Sequence, residues 1–397
     1  MKSVPTPGLG SPPPAVVTGM MFFRPIAGVI YQVLHYMLAL RRLGFAPVYV
    51  ERTGWWLLDP DTGDVSPDPA GSIRAVTRAL APFGLEDAWS LRFLDGSAVS
   101  VYGIGDAELA EVCEAAPVLL NVTGTQRLSD ELLRCGKKLY IETDPFTAQF
   151  DVAMGDKVIR AHLDAHDMLF SFGETLSSPG FPLPLAPYEW HPTRQPVDLS
   201  LWGTSEAPTS TRFTTVTSWH NDDKDRVWDG VVYFWTKGRE FRKFLDVAQR
   251  WSGRFEMAVT SSPEAQEDLL SHGWMTVDAH AISCDVGRYR RYIQQSFGEF
   301  TVARDQYVRP RTGWFSDRSA CYLAAGRPVI TQETGFSSVL PTGKGLFSFS
   351  TAEDIDAAVE EIMRDPVGNQ NAARELAAEY FDADRLVRTM LEQAGVL

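Results

Sequence analysis

A chain of 397 residues with 44% hydrophobic and 22% charged composition can bury large cores, which excludes a disordered protein and leads us to expect two or three domains. The formal net charge of −14, from 37 basic and 51 acidic residues, excludes a broad electrostatic footprint for nucleic acid or an anionic membrane surface. No stretch approaches the roughly 20 apolar residues of a membrane span, and the N-terminus lacks an apolar core of signal-peptide length, so no transmembrane segment and a cytoplasmic location are expected.

After a proline-rich start, residues 15–18 read as a short apolar strand ending at Gly19. Residues 28–43 carry apolar side chains at helical spacing. Arg41 and Arg42 fall in the last turn, where they suit the helix dipole, and Gly44 is the stop. Residues 47–50 form the next expected strand, with Glu51 at its end. Strands over 117–122, 138–141 and 168–172 then end at Thr123-Gly124, at Glu142-Thr143-Asp144-Pro145 and at Gly173-Glu174. Alternation of this kind is the signature of a largely parallel sheet wrapped by helices, and it should deliver the polar strand ends to one edge.

The next segment has prolines at 179, 182, 184, 187, 192 and 196, too many for a helix or a central strand, and reads as a semi-rigid connector between domains. A second alternation begins with a strand over 213–218 and a helix over 239–251. Strands over 255–259, 274–277, 300–303, 329–331 and 346–349 follow, then amphipathic helices from 352 onward. The expected domains are 1–190, 191–375 and a terminal helix, 376–397, packing back toward the first.

Residues 313–349 are the most informative stretch. Ser319-Ala320-Cys321-Tyr322-Leu323-Ala324-Ala325 favours a helix closed by Gly326, Pro328-Val329-Ile330-Thr331 a compact strand, and Glu333-Thr334-Gly335 a loop at the strand end, where ligands of open α/β sheets collect. This order of helix, turn, buried strand and Gly-containing loop resembles the nucleotide-sugar-binding end of a GT-B glycosyltransferase. The chain as a whole resembles a poorly described bacterial group related to the retaining members of that fold. Lys237-Gly238 is similar to the Lys-Gly start of their first C-terminal-domain helix, whose lysine touches the donor phosphates. The paired glutamates of the retaining pattern are absent, since alignment on Gly326-Arg327-Pro328-Val329 puts Gly313 and Cys321 at those positions.

The resemblance implies an α/β fold of two Rossmann-like doubly wound domains facing across a cleft, with the C-terminal helices packed back. It also implies a nucleoside-diphosphate sugar as co-substrate, with no other cofactor, and a small-molecule or glycan acceptor bound by the first domain. Donor-binding candidates are Lys237, Glu299, Arg304, Ser316, Asp317, Arg318, Glu333, Thr334 and Gly335, which supply cations, hydroxyls, carboxylates and backbone N–H groups where a diphosphate and a ribose need them. For an inverting reaction the general base would come from the first domain; Asp144 and His35 are the candidates, with Glu174 behind them.

No metal site is expected. Cys113, Cys135, Cys284 and Cys321 are scattered, and His162 and His166 have helical i,i+4 spacing without the glutamate of a zinc-protease motif. Trp190, Trp202, Trp219, Trp228 and Trp235 cluster around the connector, where indoles could stack on a sugar or fill an interface. Two other functions fit the same architecture: a nucleotide-sugar 2-epimerase and a non-catalytic two-domain ligand binder.

Overall fold

The computed structural model describes residues 12–54, 56–203, 206–220 and 224–397. In the first half lie the strands β1 (Pro14–Thr18), β2 (Ala46–Gly54), β3 (Leu57–Leu58), β4 (Val65–Ser66), β5 (Trp89–Asp95), β6 (Ala98–Gly103), β7 (Val118–Val122), β8 (Lys137–Glu142), β9 (Met168–Ser171) and β10 (Trp190–Pro192). Eight of them form one sheet in the order β10-β9-β8-β7-β1-β2-β5-β6, while β3 and β4 make a small separate ribbon. Pairing in the large sheet is parallel except between β5 and β6.

The second half contributes β11 (Phe213–Ser218), β12 (Arg226–Trp228), β13 (Val231–Tyr233), β14 (Phe255–Thr260), β15 (Met275–Asp278), β16 (Gly298–Thr301), β17 (Val329–Gln332) and β18 (Leu346–Phe349). Its six-stranded sheet is wholly parallel, in the order β15-β14-β11-β16-β17-β18, and β12 pairs with β13 as a surface ribbon. Each sheet starts in its middle, grows to one side, then crosses back and grows to the other. The direction reverses between β1 and β7 in the first sheet and between β11 and β16 in the second, which opens a crevice at the carboxyl ends of the strands.

The structure corrects two expectations and adds one element. The proline-rich connector contributes β10 to the sheet, which is possible because it is an edge strand with Pro192 at its last position. The helix expected over 239–251 is found as Lys237–Phe241, a 3₁₀ turn Arg242–Phe244 and a further turn Val247–Arg250. The β5-β6 hairpin is an antiparallel addition, turning at Gly96-Ser97 with Gly96 at φ 58°.

One hydrophobic core runs through both halves. The helix Ala27–Arg42 is buried along most of its length because it lies between its own sheet, the helix Val286–Gln295 of the second half and the final helix Ala383–Gln393. Two chain crossings join the halves, one just after β10 and one just before the final helix. They lie side by side: Val197 N donates to Phe381 O at 2.8 Å, and Ala383 N donates to Val197 O at 3.1 Å. No helix among the described residues is long and apolar enough to cross a membrane.

Candidate functional site

The two reversal points face each other across a cavity of ≈ 450 Å³. One wall is built from strand ends of the first sheet: Met20 beyond β1, Thr123 and Thr125 beyond β7, and Glu142, Thr143 and Asp144 at the end of β8. The other wall carries Lys224, Trp235, Lys237, Arg304, Trp314, Ser316, Asp317 and Arg318. A second cavity of ≈ 940 Å³ continues from it and shares Val29, Gln32, Asp317 and Arg318. The lining is electrically divided. Glu142, Asp144 and Asp151 are on the first wall, whereas Lys224, Lys237, Arg304 and Arg318 face them with Asp317 as the lone carboxylate among them.

Lys237 is the first residue of its short helix, following Thr236 in extended conformation. Gly238 is required behind it, because a Cβ there would come within 2.7 Å of the Trp219 indole nitrogen. The Lys237 ammonium lies 5.6 Å from the Trp314 ring centroid, and no carboxylate among the described residues pairs with it. Burial, then the charges of Arg318 and Arg304, push its pKa well below the ordinary lysine value. An arriving anion would reverse that shift, so this ammonium is poised for a negatively charged ligand.

Arg318 has a different job. Its Nε pairs with Glu299 at 2.5 Å, Nη1 donates to Val216 O at 2.7 Å and Nη2 donates to Thr301 Oγ1 at 2.8 Å. Glu299 is fully buried beneath it, with one oxygen left without a partner. This pair ties the helix Asp317–Ala324 to β11 and β16 and so aims the helix start into the cleft. Ser316 makes no side-chain cap there, and burial raises the Asp317 carboxyl above its usual range.

Arg304, just past β16, reaches across the cleft. Its Nη1 donates to Asp144 Oδ1 at 2.7 Å and to the Tyr307 hydroxyl at 2.6 Å, and Tyr307 in turn donates to the same Asp144 oxygen. The guanidinium carbon lies over Trp235, 3.6 Å from the ring centroid. Trp314 closes the corner, its indole donating to Thr143 O at 3.0 Å.

On the opposite wall Glu142 is fixed by two donors on one oxygen, Ser171 Oγ at 2.6 Å and Gln149 Nε2 at 2.8 Å, while its other oxygen is buried without a partner. Burial pushes its pKa up to about 8, so it is largely protonated at neutral pH. The neighbouring loop has Thr123 at φ 69° and Gly124 at φ 62°, and a side chain at Gly124 would collide with the Tyr140 ring. The two histidines support this loop, His162 from the helix Lys157–Asp164 and His166 from just beyond its end. His162 Nε2 bonds to Gly124 O at 2.7 Å; His166 donates from Nδ1 to His162 O at 2.9 Å, leaving Nε2 to accept from Asn121 at 3.0 Å. Among the described residues no cluster of three His, Cys, Asp or Glu side chains is placed to hold a metal ion.

The structure thus gathers Asp144, Lys237, Arg304, Ser316, Asp317 and Arg318 in one cavity wall or the other. Glu299 lies underneath. Glu333, Thr334 and Gly335 are outside the lining and serve the loop before the helix: Glu333 accepts from Gly335 N, Thr334 Oγ1 donates to Trp314 O, and Thr334 O accepts from Gly313 N at 2.7 Å. His35 is buried away from the ≈ 450 Å³ cavity, its Nε2 accepting from Trp202 Nε1 at 3.0 Å, and burial holds its pKa down to about 4. Glu174 is ion-paired with Arg194 at 2.6 Å. Of the five clustered tryptophans only Trp235 lines the cavity; Trp202 and Trp219 are core residues. Glu142, Asp151 and Lys224 line the cavity without standing among the sequence candidates, although the place of Glu142 at the end of β8 was a usable signal.

No protein-family model matches the chain, and no curated protein matches it in sequence. Solved structures match it along almost its whole length. A glycosyltransferase from Rickettsia africae aligns with a TM-score of 0.52 and 11% identity, covering 96% of this chain and 97% of that one. HepE from Anabaena in complex with UDP aligns at 0.56 and 10% identity, covering 97% and 100%. A sucrose-phosphate synthase from Thermosynechococcus elongatus aligns at 0.50 and 14% identity, covering 96% and 98%. The fold is that of the GT-B glycosyltransferases, two Rossmann-like domains across a cleft.

Proposed function

We propose, with the GT-B fold as the premise, that the chain is a glycosyltransferase taking its sugar from a nucleoside diphosphate and passing it to an acceptor hydroxyl of a small molecule or glycan. The observation that carries this reading is the divided cleft, in which Lys237 and Arg304 face Asp144 at the crevice between the two sheets. Lys237 and Arg304, with the start of the helix Asp317–Ala324, would neutralise the diphosphate. The acceptor oxygen attacks the anomeric carbon, the bond from that carbon to the diphosphate oxygen breaks, and the nucleoside diphosphate leaves with the electron pair. Asp144 takes the hydroxyl proton. Independence of a metal, a hexosyl donor and a cytoplasmic location belong to the same proposal.

The test is a thermal-shift screen against UDP, dTDP, GDP, ADP and CMP. A ligand at 100 times its Kd adds about 2.7 kcal/mol of stability, a shift of several degrees. One nucleoside diphosphate should stand out. A flat response to all five overturns the reading.

A further inference from the structure

We propose that Asp144 and the donor diphosphate are alternative partners of Arg304, so that the base becomes free only when the donor is bound. This rests on the nucleotide-sugar reading above and adds to it the order of events at the site. Arg304 cannot easily serve both. Its Cζ sits 3.6 Å over the Trp235 ring centroid, its Nε is buried without a partner, and its Nη1 is spent on Asp144 and Tyr307. The Arg304 side chain is 17% exposed and Asp144 47%, so it is the carboxylate that has room to leave. The Asp144 Oδ1 that accepts from both a guanidinium and a phenol also has its lone pairs engaged by those donors.

The sequence that follows is ordered. A diphosphate entering beside Lys237 brings oxygens that match the guanidinium fork and displaces the carboxylate. Asp144 then stands in the cavity without its cation, next to the acceptor wall. When nucleoside diphosphate departs, Asp144 returns to Arg304 and the base is silenced again. Asp144 therefore lowers donor affinity in the resting protein while serving the transfer step.

The experiment is a titration with UDP, and in parallel with inorganic pyrophosphate, followed by the fluorescence of the cavity tryptophans Trp235 and Trp314. It compares the wild-type chain, Asp144→Asn, Arg304→Gln and the double variant. Asp144→Asn should bind UDP about 3- to 10-fold more tightly, the scale expected for removing one partly exposed ion-pair competitor. Arg304→Gln should bind more weakly. In the Arg304→Gln background the Asp144→Asn change should have no further effect, because the contested group is gone. Equal or weaker binding by Asp144→Asn overturns the proposal. So does the same tightening with Arg304→Gln already present, which would mark a general effect of removing negative charge. Absence of binding by either probe to any of the four proteins overturns the donor reading itself.

Discussion

The halves of this molecule touch in two contrasting ways. At the rear, Tyr31, His35, Trp202 and Tyr289 form a buried aromatic joint, with Tyr31 and Trp202 ring centroids 4.8 Å apart and Tyr31 donating to Val286 O at 3.0 Å. Arg42 completes it with ion pairs to Asp198 and Asp384, each at 2.7 Å. At the front, the cleft contact centres on a half-exposed carboxylate, Asp144, which accepts from Arg304 and Tyr307, beside the Trp314 indole that donates to Thr143 O. Buried aromatic area contributes to stability whatever the ligand state, whereas a partly solvated ion pair contributes little net free energy and can change partners. The rear contact is built to hold the halves together, and the front one has room to change partners.

The sharpest way to break this contrast is to weaken each contact separately. Trp202→Ala should cost about 3–5 kcal/mol in urea unfolding, as expected for emptying a fully buried indole site. Asp144→Asn should change stability by less than about 1 kcal/mol. Equal costs would erase the distinction.

Next in size is Lys237→Ala, which should weaken UDP binding by about 1.5–3 kcal/mol through loss of a charge-assisted contact, without loss of fold. Because burial holds the resting Lys237 pKa well below the ordinary lysine value and a bound anion would restore it, wild-type affinity should fall as pH rises toward that ordinary value, and the Lys237→Ala variant should lose that dependence. Calorimetry in buffers of different ionisation enthalpy would register the proton taken up on binding. An affinity independent of pH in both proteins would remove Lys237 from the anion site.

The smallest effect concerns the two buried groups with opposite tendencies. Glu142 has a folded pKa of about 8 against about 4.3 in an unfolded chain, so between those values the native state holds more protons and stability falls as pH rises. His35, held near 4 against about 6.5, acts in the reverse direction, and its contribution is lost as pH falls through that lower window. Glu142→Gln should therefore gain stability relative to wild type as pH rises from 5 to 8, read as a melting-temperature difference that widens. A difference constant with pH would mean that Glu142 does not titrate in that window.

Much of the fold was legible because strand and helix periodicity is local: the strands expected over 213–218 and 346–349 coincide with β11 and β18. The features passed over depend on context. A proline segment becomes a strand only because a sheet edge is waiting for it, and the β5-β6 hairpin rests on a two-residue turn. At the site, Asp144, Lys237 and Arg304 could be picked out from their places at strand and helix ends. The fates of Glu142 and His35 could not, since each is decided by a partner far along the chain, Ser171 at 29 positions and Trp202 at 167.

The paired crossings at Val197 and Phe381 have a mechanical consequence. Two separate tethers would act as independent swivels, but two stitched together by backbone hydrogen bonds behave as one short, flat strap. Such a strap flexes across its face at little cost and resists shear along its length, because shear would break the stitches. The soft motion open to the two sheets is thus a bend, like a book opening on a taped spine, and sliding of one page past the other is the stiff direction.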